Sequence, residues 1–243
     1  MTESSGQRYL AIATALVARL RDEEWPRISA AADLLTRAIA SGGVIHAFGS
    51  GHSHMLAEEL FYRAGGLVRV RPILFEGLML HASAPLSTTL ERMPGLAAAL
   101  LADHPMDAGD ALVLASNSGR NAVTTELARL ARDVGVRTIA ITSLRHATSD
   151  AARVHGGQRL HELVDVAIDN GGAVGDAAVA IEGLDARVAP TSTVVGAAIL
   201  EALVAEVAER LVARGIAPEV YASSNVAGGD AANDRYLRAG AGR

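Results

Sequence analysis

The rhythm of hydrophobic and polar positions changes near residue 44. Before it, apolar Leu10, Ala13, Leu16, Val17 and Leu20 recur at helical spacing. This predicts one or two helices from about Tyr9 to Ala40, with Pro26 interrupting the run or opening a second helix. Ser41-Gly42-Gly43 ends that stretch. Beyond it, short and nearly continuous apolar runs alternate with helical patterns. The predicted strands are Val44–Phe48, Val68–Leu74, Ala111–Ala115, Arg137–Thr142 and Val164–Ile168, the last closed by Asp169-Asn170-Gly171-Gly172. The predicted helices are Ser53–Ala64, stopped by Gly65-Gly66, then Leu96–Asp103 and Ala122–Val134. Pro190–Arg214 reads as a long amphipathic helix opened by Thr191-Ser192-Thr193 and stopped by Gly215. The rest of Glu76–Asp110 is mixed. Strands apolar on both faces belong to a covered parallel sheet, so the alternation predicts a doubly wound α/β sandwich. There is no internal repeat.

Two turns rich in serine and glycine each follow a strand and precede a helix. The first is Gly49-Ser50-Gly51-His52-Ser53 and the second Ser116-Asn117-Ser118-Gly119-Arg120-Asn121. Such turns aim N–H groups and hydroxyls at the positive end of a helix dipole, which suits a phosphate. Two of them suit a sugar phosphate. A dinucleotide fingerprint fits less well. Its third glycine position holds His54, and the next strand offers Arg69 and Arg71 rather than an acidic ribose ligand.

Composition narrows the chemistry. The chain has 243 residues, half of them hydrophobic, and no apolar run long enough for a membrane span. The polar start from Met1 to Arg8 lacks a signal-peptide core, and a cytoplasmic location fits. No cysteine is present, which excludes disulfides and thiolate metal sites. No lysine is present either, so a lysine Schiff base and a Walker A loop are both excluded. The net charge of −5 with no basic stretch argues against nucleic acid as a partner. His52 and His54 stand two apart, which does not place two ligands on one helix face, so no metal is expected.

With both turns in view, the chain resembles the sugar isomerase (SIS) domain family over about Ser41 to Gly215. The runs Phe48–Gly66 and Ser116–Val123 and the tail Ser224-Asn225-Val226-Ala227-Gly228-Gly229-Asp230 are similar to a subgroup of stand-alone bacterial SIS proteins. The resemblance implies a five-stranded parallel sheet and a phosphosugar ligand. It also implies homodimers or homotetramers with sites near subunit contacts. On this basis residues 1–40 form an N-terminal helical extension, 41–215 the phosphosugar domain and 216–243 a C-terminal tail. By the same resemblance Ser116, Asn117 and Ser118 hold the phosphate. Ser50 and Ser53, on the turn around Gly51, touch phosphate or sugar. Asn121 stands where the family often has Thr or Ser, and its amide also donates. The tail is expected as an ordered loop over ligand or partner, or as a plain surface segment.

The expected reaction begins with removal of the C2 proton from a hexose or N-acetylhexosamine 6-phosphate. Reprotonation gives aldose–ketose isomerisation, and loss of the C3 group gives elimination. Candidate acid–base groups are Glu59, Glu201, His54, Glu76 and His81. Glu59 also has a plain reading as an ion pair with Arg63, four residues on. Glu201 sits inside the long apolar helix, where phosphoheptose isomerase is similar in carrying an acid–base residue, there a histidine. Thr193, eight residues earlier on roughly the same face, joins the ligand-binding set. No cofactor is implied. The rival class is a phosphosugar sensor without chemistry.

Overall fold

A computed structural model describes residues 3–149 and 157–238. Five strands, β1 (Ile45–Gly49), β2 (Val70–Ile73), β3 (Ala111–Ala115), β4 (Arg137–Thr142) and β5 (Val166–Asp169), form one parallel sheet in the order β2-β1-β3-β4-β5. Helices cover both faces, so the doubly wound α/β expectation holds. All residues of β1 and β3 are buried, as the unbroken apolar run of β3 requires, and β1 takes the polar His46 inside with it.

One face is covered by α2 (Trp25–Ala40), α3 (His54–Leu60) and α9 (Ser192–Ala213). Ile28, Leu35, Leu56, Ile199 and Leu203 meet Ala47, Val113 and Ile141 of the sheet there. Each fully buried Ile or Leu of this kind contributes about 1.5–3 kcal/mol. Thus α2, placed by sequence in an extension, shares the main core. It follows α1 (Ser5–Asp22), whose start is closed by a capping box between Ser4 and Gln7. Pro26 sits in the first turn of α2, where its missing N–H costs nothing. The other face carries α5 (Leu96–Asp103), α6 (Ala122–Asp133) and α8 (Leu160–Leu163), with Phe48, Leu112 and Leu114 beneath them.

Several expected boundaries move. The helix expected to reach Ala64 ends at Leu60, because Phe61 is extended and Tyr62 turns left-handed at φ 46°. The Tyr62 ring packs edge-on against Tyr221, 4.9 Å between centroids, which holds this break. The second and fifth strands are shorter than or offset from their expected spans. Within the mixed stretch lies α4 (Ala84–Leu90), capped by the Ser83 hydroxyl. After α7 (Leu144–Thr148), α8 and β5, a hairpin of β6 (Ala177–Val179) and β7 (Val188–Pro190) leads into α9. The tail is not a loop alone: it ends in α10 (Gly229–Arg238), packed through Tyr236 onto Tyr221 and Val68. No described helix is long and apolar enough to cross a membrane.

Candidate functional site

β1 and β3 are neighbours, and Gly49 pairs with Ala115. The chain therefore leaves the sheet at adjacent points, into Ser50 and into Ser116. Between these strands the order reverses, β2 lying to one side and β4 and β5 to the other. In open α/β sheets such a switch point leaves a crevice for ligands at the carboxyl ends of the strands.

The first turn doubles back sharply. A Cβ on Gly49 would lie 2.2 Å from the Ser53 carbonyl oxygen, so only glycine admits this path. Ser50 is extended and buried, Gly51 takes φ +58°, and one 3-10 turn over Gly51–Ser53 leads into α3. In the second turn the Gly119 N–H donates to Ser116 Oγ at 3.2 Å. The Asn117 carbonyl accepts from the Ser143 N–H at 3.1 Å and the Thr142 hydroxyl at 3.3 Å. The turn is thereby fastened to the loop after β4. Among the described residues, the N–H groups of Asn117 and Ser118 and the Ser118 hydroxyl have no hydrogen-bond partner. These unspent donors precede α6, whose dipole adds positive potential.

A carboxylate that sequence reasoning missed joins the two turns. Glu91, just past α4, accepts from the Ser50 hydroxyl at 3.0 Å and faces the Asn121 side chain. Its carbonyl also accepts from the Val123 N–H in the first turn of α6 at 3.2 Å. Burial pushes the Glu91 carboxyl above its ordinary value, against the opposing hydrogen bonds from Ser50 and Asn121 and the nearby Arg92 cation. Perturbed carboxylates in clefts are frequent functional groups. The only sequence signal for Glu91 was an acidic residue in a stretch without clear periodicity.

The expected acid–base residues separate into two groups. His54 is buried under the first turn, and its Nδ1 faces the Gly51 carbonyl. A carbonyl only accepts, so Nδ1 carries the proton and Nε2 is left basic in the neutral ring. Nε2 lies 3.8 Å from Glu58 Oε1, and the ring stands 6.3 Å from that of His81. His81 and Glu76 are 3.9 Å apart, with side chains 62% and 78% exposed. Glu59 and Glu201 meet each other instead. Glu59 pairs with Arg63, which also lies 3.6 Å from Glu201. Burial pushes the Glu201 carboxyl up, Arg63 opposes this, and Glu59 adds to it. The helix-surface ion pair of Glu59 with Arg63 is thus present.

The expected phosphate ligands also divide. The Ser50 hydroxyl is spent on Glu91, Asn121 faces the same carboxylate, and no hydrogen bond of the Ser53 hydroxyl is formed among the described residues. Thr193 lies in the first turn of α9, whose start is closed by Asp176. That carboxylate accepts from the Thr191 and Ser192 N–H groups at 3.2 and 3.0 Å and from the Ser192 hydroxyl at 2.5 Å. No hydrogen bond ties Thr193 to either turn among the described residues. No cluster of three or more His, Asp or Glu suited to a metal ion occurs among them.

A family model described as the SIS domain matches residues 8–143. A UPF0309 protein of Listeria monocytogenes serotype 4b is 42% identical over 229 residues, 94% of this chain and 93% of that protein. Among solved structures, a phosphoheptose isomerase from Francisella tularensis aligns with a TM-score of 0.55 at 14% identity, covering 83% of this chain and 95% of that one. The sugar isomerase domain of an RpiR transcription factor from Sphaerobacter thermophilus aligns with a TM-score of 0.50 at 16% identity, covering 96% and 95%. At these identities the structural likeness shows a shared fold. The family model spans more than half of the chain and the Listeria relative nearly all of it: the chain belongs to the SIS domain family.

Proposed function

We propose that the chain binds a sugar phosphate across the two turns and removes the proton from the carbon beside its carbonyl group. The observation that carries this reading is the half-buried Glu91 at the switch point, its carboxylate bonded to Ser50 of the first turn and its backbone carbonyl to the start of the helix after the second. It makes one site of two donor-rich turns and puts a proton-transfer group inside it. The phosphate is held by the N–H groups of Asn117 and Ser118, the side-chain amide of Asn117 and the hydroxyls of Ser116 and Ser118, and Ser53 reaches the phosphate or sugar. Anchoring the phosphate orients the carbon skeleton and lowers the entropic cost of the chemical step.

In the reaction, an ionised carboxylate or the Nε2 lone pair of His54 takes the C2 proton. Glu91 accepts from the Ser50 hydroxyl of the first turn, and His54 faces its Gly51 carbonyl. The electron pair left on C2 forms the C1–C2 double bond of an enediol, whose oxygens the turn donors stabilise. With a hexose, a proton returned to C1 while the C2 hydroxyl gives up its own yields the ketose; with the N-acetylated sugar, whose C2 carries nitrogen, proton removal leads to exchange at C2 or to elimination. Departure of the C3 hydroxyl, protonated as water, gives the 2,3-elimination product. The substrate class is a hexose or N-acetylhexosamine 6-phosphate, with the amino sugar favoured by analogy with other members of the family.

A second reading is a phosphosugar sensor without turnover. It is favoured by Glu59 and Glu201 being engaged with Arg63 and by Glu76 and His81 standing in solvent. Incubation with N-acetylglucosamine 6-phosphate in deuterated water separates the two. Deuterium at C2 or an unsaturated product supports the enzyme. Binding with neither supports the sensor, and no binding contradicts both.

A further inference from the structure

The segment Asp169-Asn170-Gly171-Gly172 closes β5 and touches the second turn. Asn170 is 2% exposed. The Gly172 N–H donates to its Oδ1 at 2.9 Å, and its Nδ2 lies 3.0 Å from Asn117 Oδ1. Two one-way rules fix this chain of contacts. A backbone N–H can only donate, so the Asn170 atom facing Gly172 is its oxygen. The other end of the Asn170 amide is then the nitrogen, which also only donates, so the Asn117 atom facing it is the oxygen. The Asn117 Nδ2 hydrogens are left, and among the described residues they have no partner.

The surroundings hold this arrangement. A Cβ on Gly172 would lie 3.0 Å from Asn170 Oδ1 and 3.5 Å from Asn117 Oδ1, so glycine keeps the pair undisturbed. The Ser143 hydroxyl donates to the Gly172 carbonyl at 2.7 Å, while the Ser143 N–H donates to the Asn117 carbonyl. Asp169 Oδ1 accepts from the Gly171 N–H at 3.0 Å, and Oδ2 accepts from Arg19 of α1 at 2.7 Å.

We infer that Asn170 is a positioning residue: it sets the side-chain amide of Asn117 so that its N–H groups, and not its oxygen, face the bound anion. An unset amide could turn either edge to the ligand, and the oxygen edge repels a phosphate. The inference rests on the reading of the second turn as the phosphate site.

The test uses Asn117→Ala, Asn170→Asp and the double variant, with inorganic phosphate as the probe. The carboxylate introduced by Asn170→Asp still accepts from the Gly172 N–H but has no hydrogen for Asn117. Asn117 then turns Nδ2 toward that carboxylate and its oxygen toward the ligand. Phosphate affinity is expected to fall roughly tenfold to a hundredfold in Asn170→Asp. In the Asn117→Ala background the same change is expected to cost far less, since the carboxylate's repulsion of phosphate is common to both arms. In the ¹⁵N-labelled wild type, the Asn117 side-chain amide resonances are expected to move on phosphate titration, a readout that does not depend on any variant folding. Equal penalties in both backgrounds, or Asn117 resonances that stay still at saturation, overturn the inference. A wild type whose turn resonances all ignore phosphate removes the underlying functional reading instead.

Discussion

The Ser50 hydroxyl donates to Glu91 Oε2 at 3.0 Å across 41 residues of sequence. This bond, with the one from the Val123 N–H to the Glu91 carbonyl, places a single carboxylate between the ends of two adjacent strands. Glu91 is screened by neutral donors rather than by a direct ion pair, and burial holds its proton affinity high. Replacement by glutamine keeps an oxygen for Ser50 but removes the charge. In Glu91→Gln, deuterium incorporation into the substrate is expected to drop by about 10²–10⁴-fold, the usual worth of a general acid–base group. Substrate affinity is expected to hold or tighten, because a negative neighbour of the phosphate is gone. Exchange at the wild-type rate would remove Glu91 from the chemistry.

The same variant has a signature in stability. A carboxyl whose folded pKa is raised contributes stability that is fully present below its unfolded value and lost as pH rises through the folded value. Ionised Glu91 thus costs the fold stability at neutral pH. Glu91→Gln is expected to melt at a higher temperature than the wild type at pH 7.5. The gap should close once the pH is below the ordinary value of 4.5. Melting curves across pH check this, and a gap that widens toward acid contradicts it.

A buried pair where β1 and β3 begin makes the fold acid-labile. His46 Nε2 donates to Asp110 Oδ2 at 3.2 Å, while Asp110 also accepts from the Val44 and Asp107 N–H groups. Burial holds the His46 pKa below its ordinary value of 6.5 although Asp110 opposes it. For Asp110, burial pushes upward but the bonds from Asp107, Val44 and His46 outweigh it, leaving the pKa lowered. A histidine neutral in the fold loses stability as pH falls below 6.5, and a lowered carboxyl loses it as pH falls through its folded value, below 3.8. Asp110→Asn leaves at least one buried donor unmet and is expected to cost about 1–3 kcal/mol at pH 7. Denaturant titration measures it, and an unchanged midpoint argues against a structural role for the pair.

The tail is clamped by one side chain. Asn233 of α10 accepts from the Ala222 N–H at 2.8 Å and donates to the Ala222 carbonyl at 2.9 Å. The segment it fixes carries Tyr221, the ring that packs on Tyr62 at the break after α3. Asn233→Ala removes two bonds, worth about 1–3 kcal/mol together. Hydrogen exchange is expected to quicken over residues 219–238 and at the end of α3, with β1 still protected. Quickened exchange throughout the sheet would make the tail part of the global unfolding unit instead.

Local pattern carried much of the fold. The bounds of β3 and α5 follow from an unbroken apolar run and a clear helical stretch, and those of β4 from a β-branched run around Ile139–Ile141, none of which needs a distant partner. The early end of α3 was not legible, since Tyr62 is held left-handed by Tyr221 from the far end of the chain. Both turns could be found because Gly and Ser requirements are local. Glu91 could not, because it matters only once β1 and β3 lie side by side and bring Ser50 and Asn121 to it. Asn170 escaped for the same reason: its meaning is a contact with Asn117 across 53 residues.

Titration calorimetry with N-acetylglucosamine 6-phosphate, comparing the wild type with the Ser116→Ala/Ser118→Ala double variant, tests the central claim most directly. Ser118 makes no internal hydrogen bond among the described residues, and Ser116 Oγ receives only the Gly119 N–H, so the fold should persist. Two hydroxyl bonds to a phosphate predict a loss of at least about a hundredfold in affinity. Equal affinity in the two proteins would contradict the assignment of the second turn as the phosphate site.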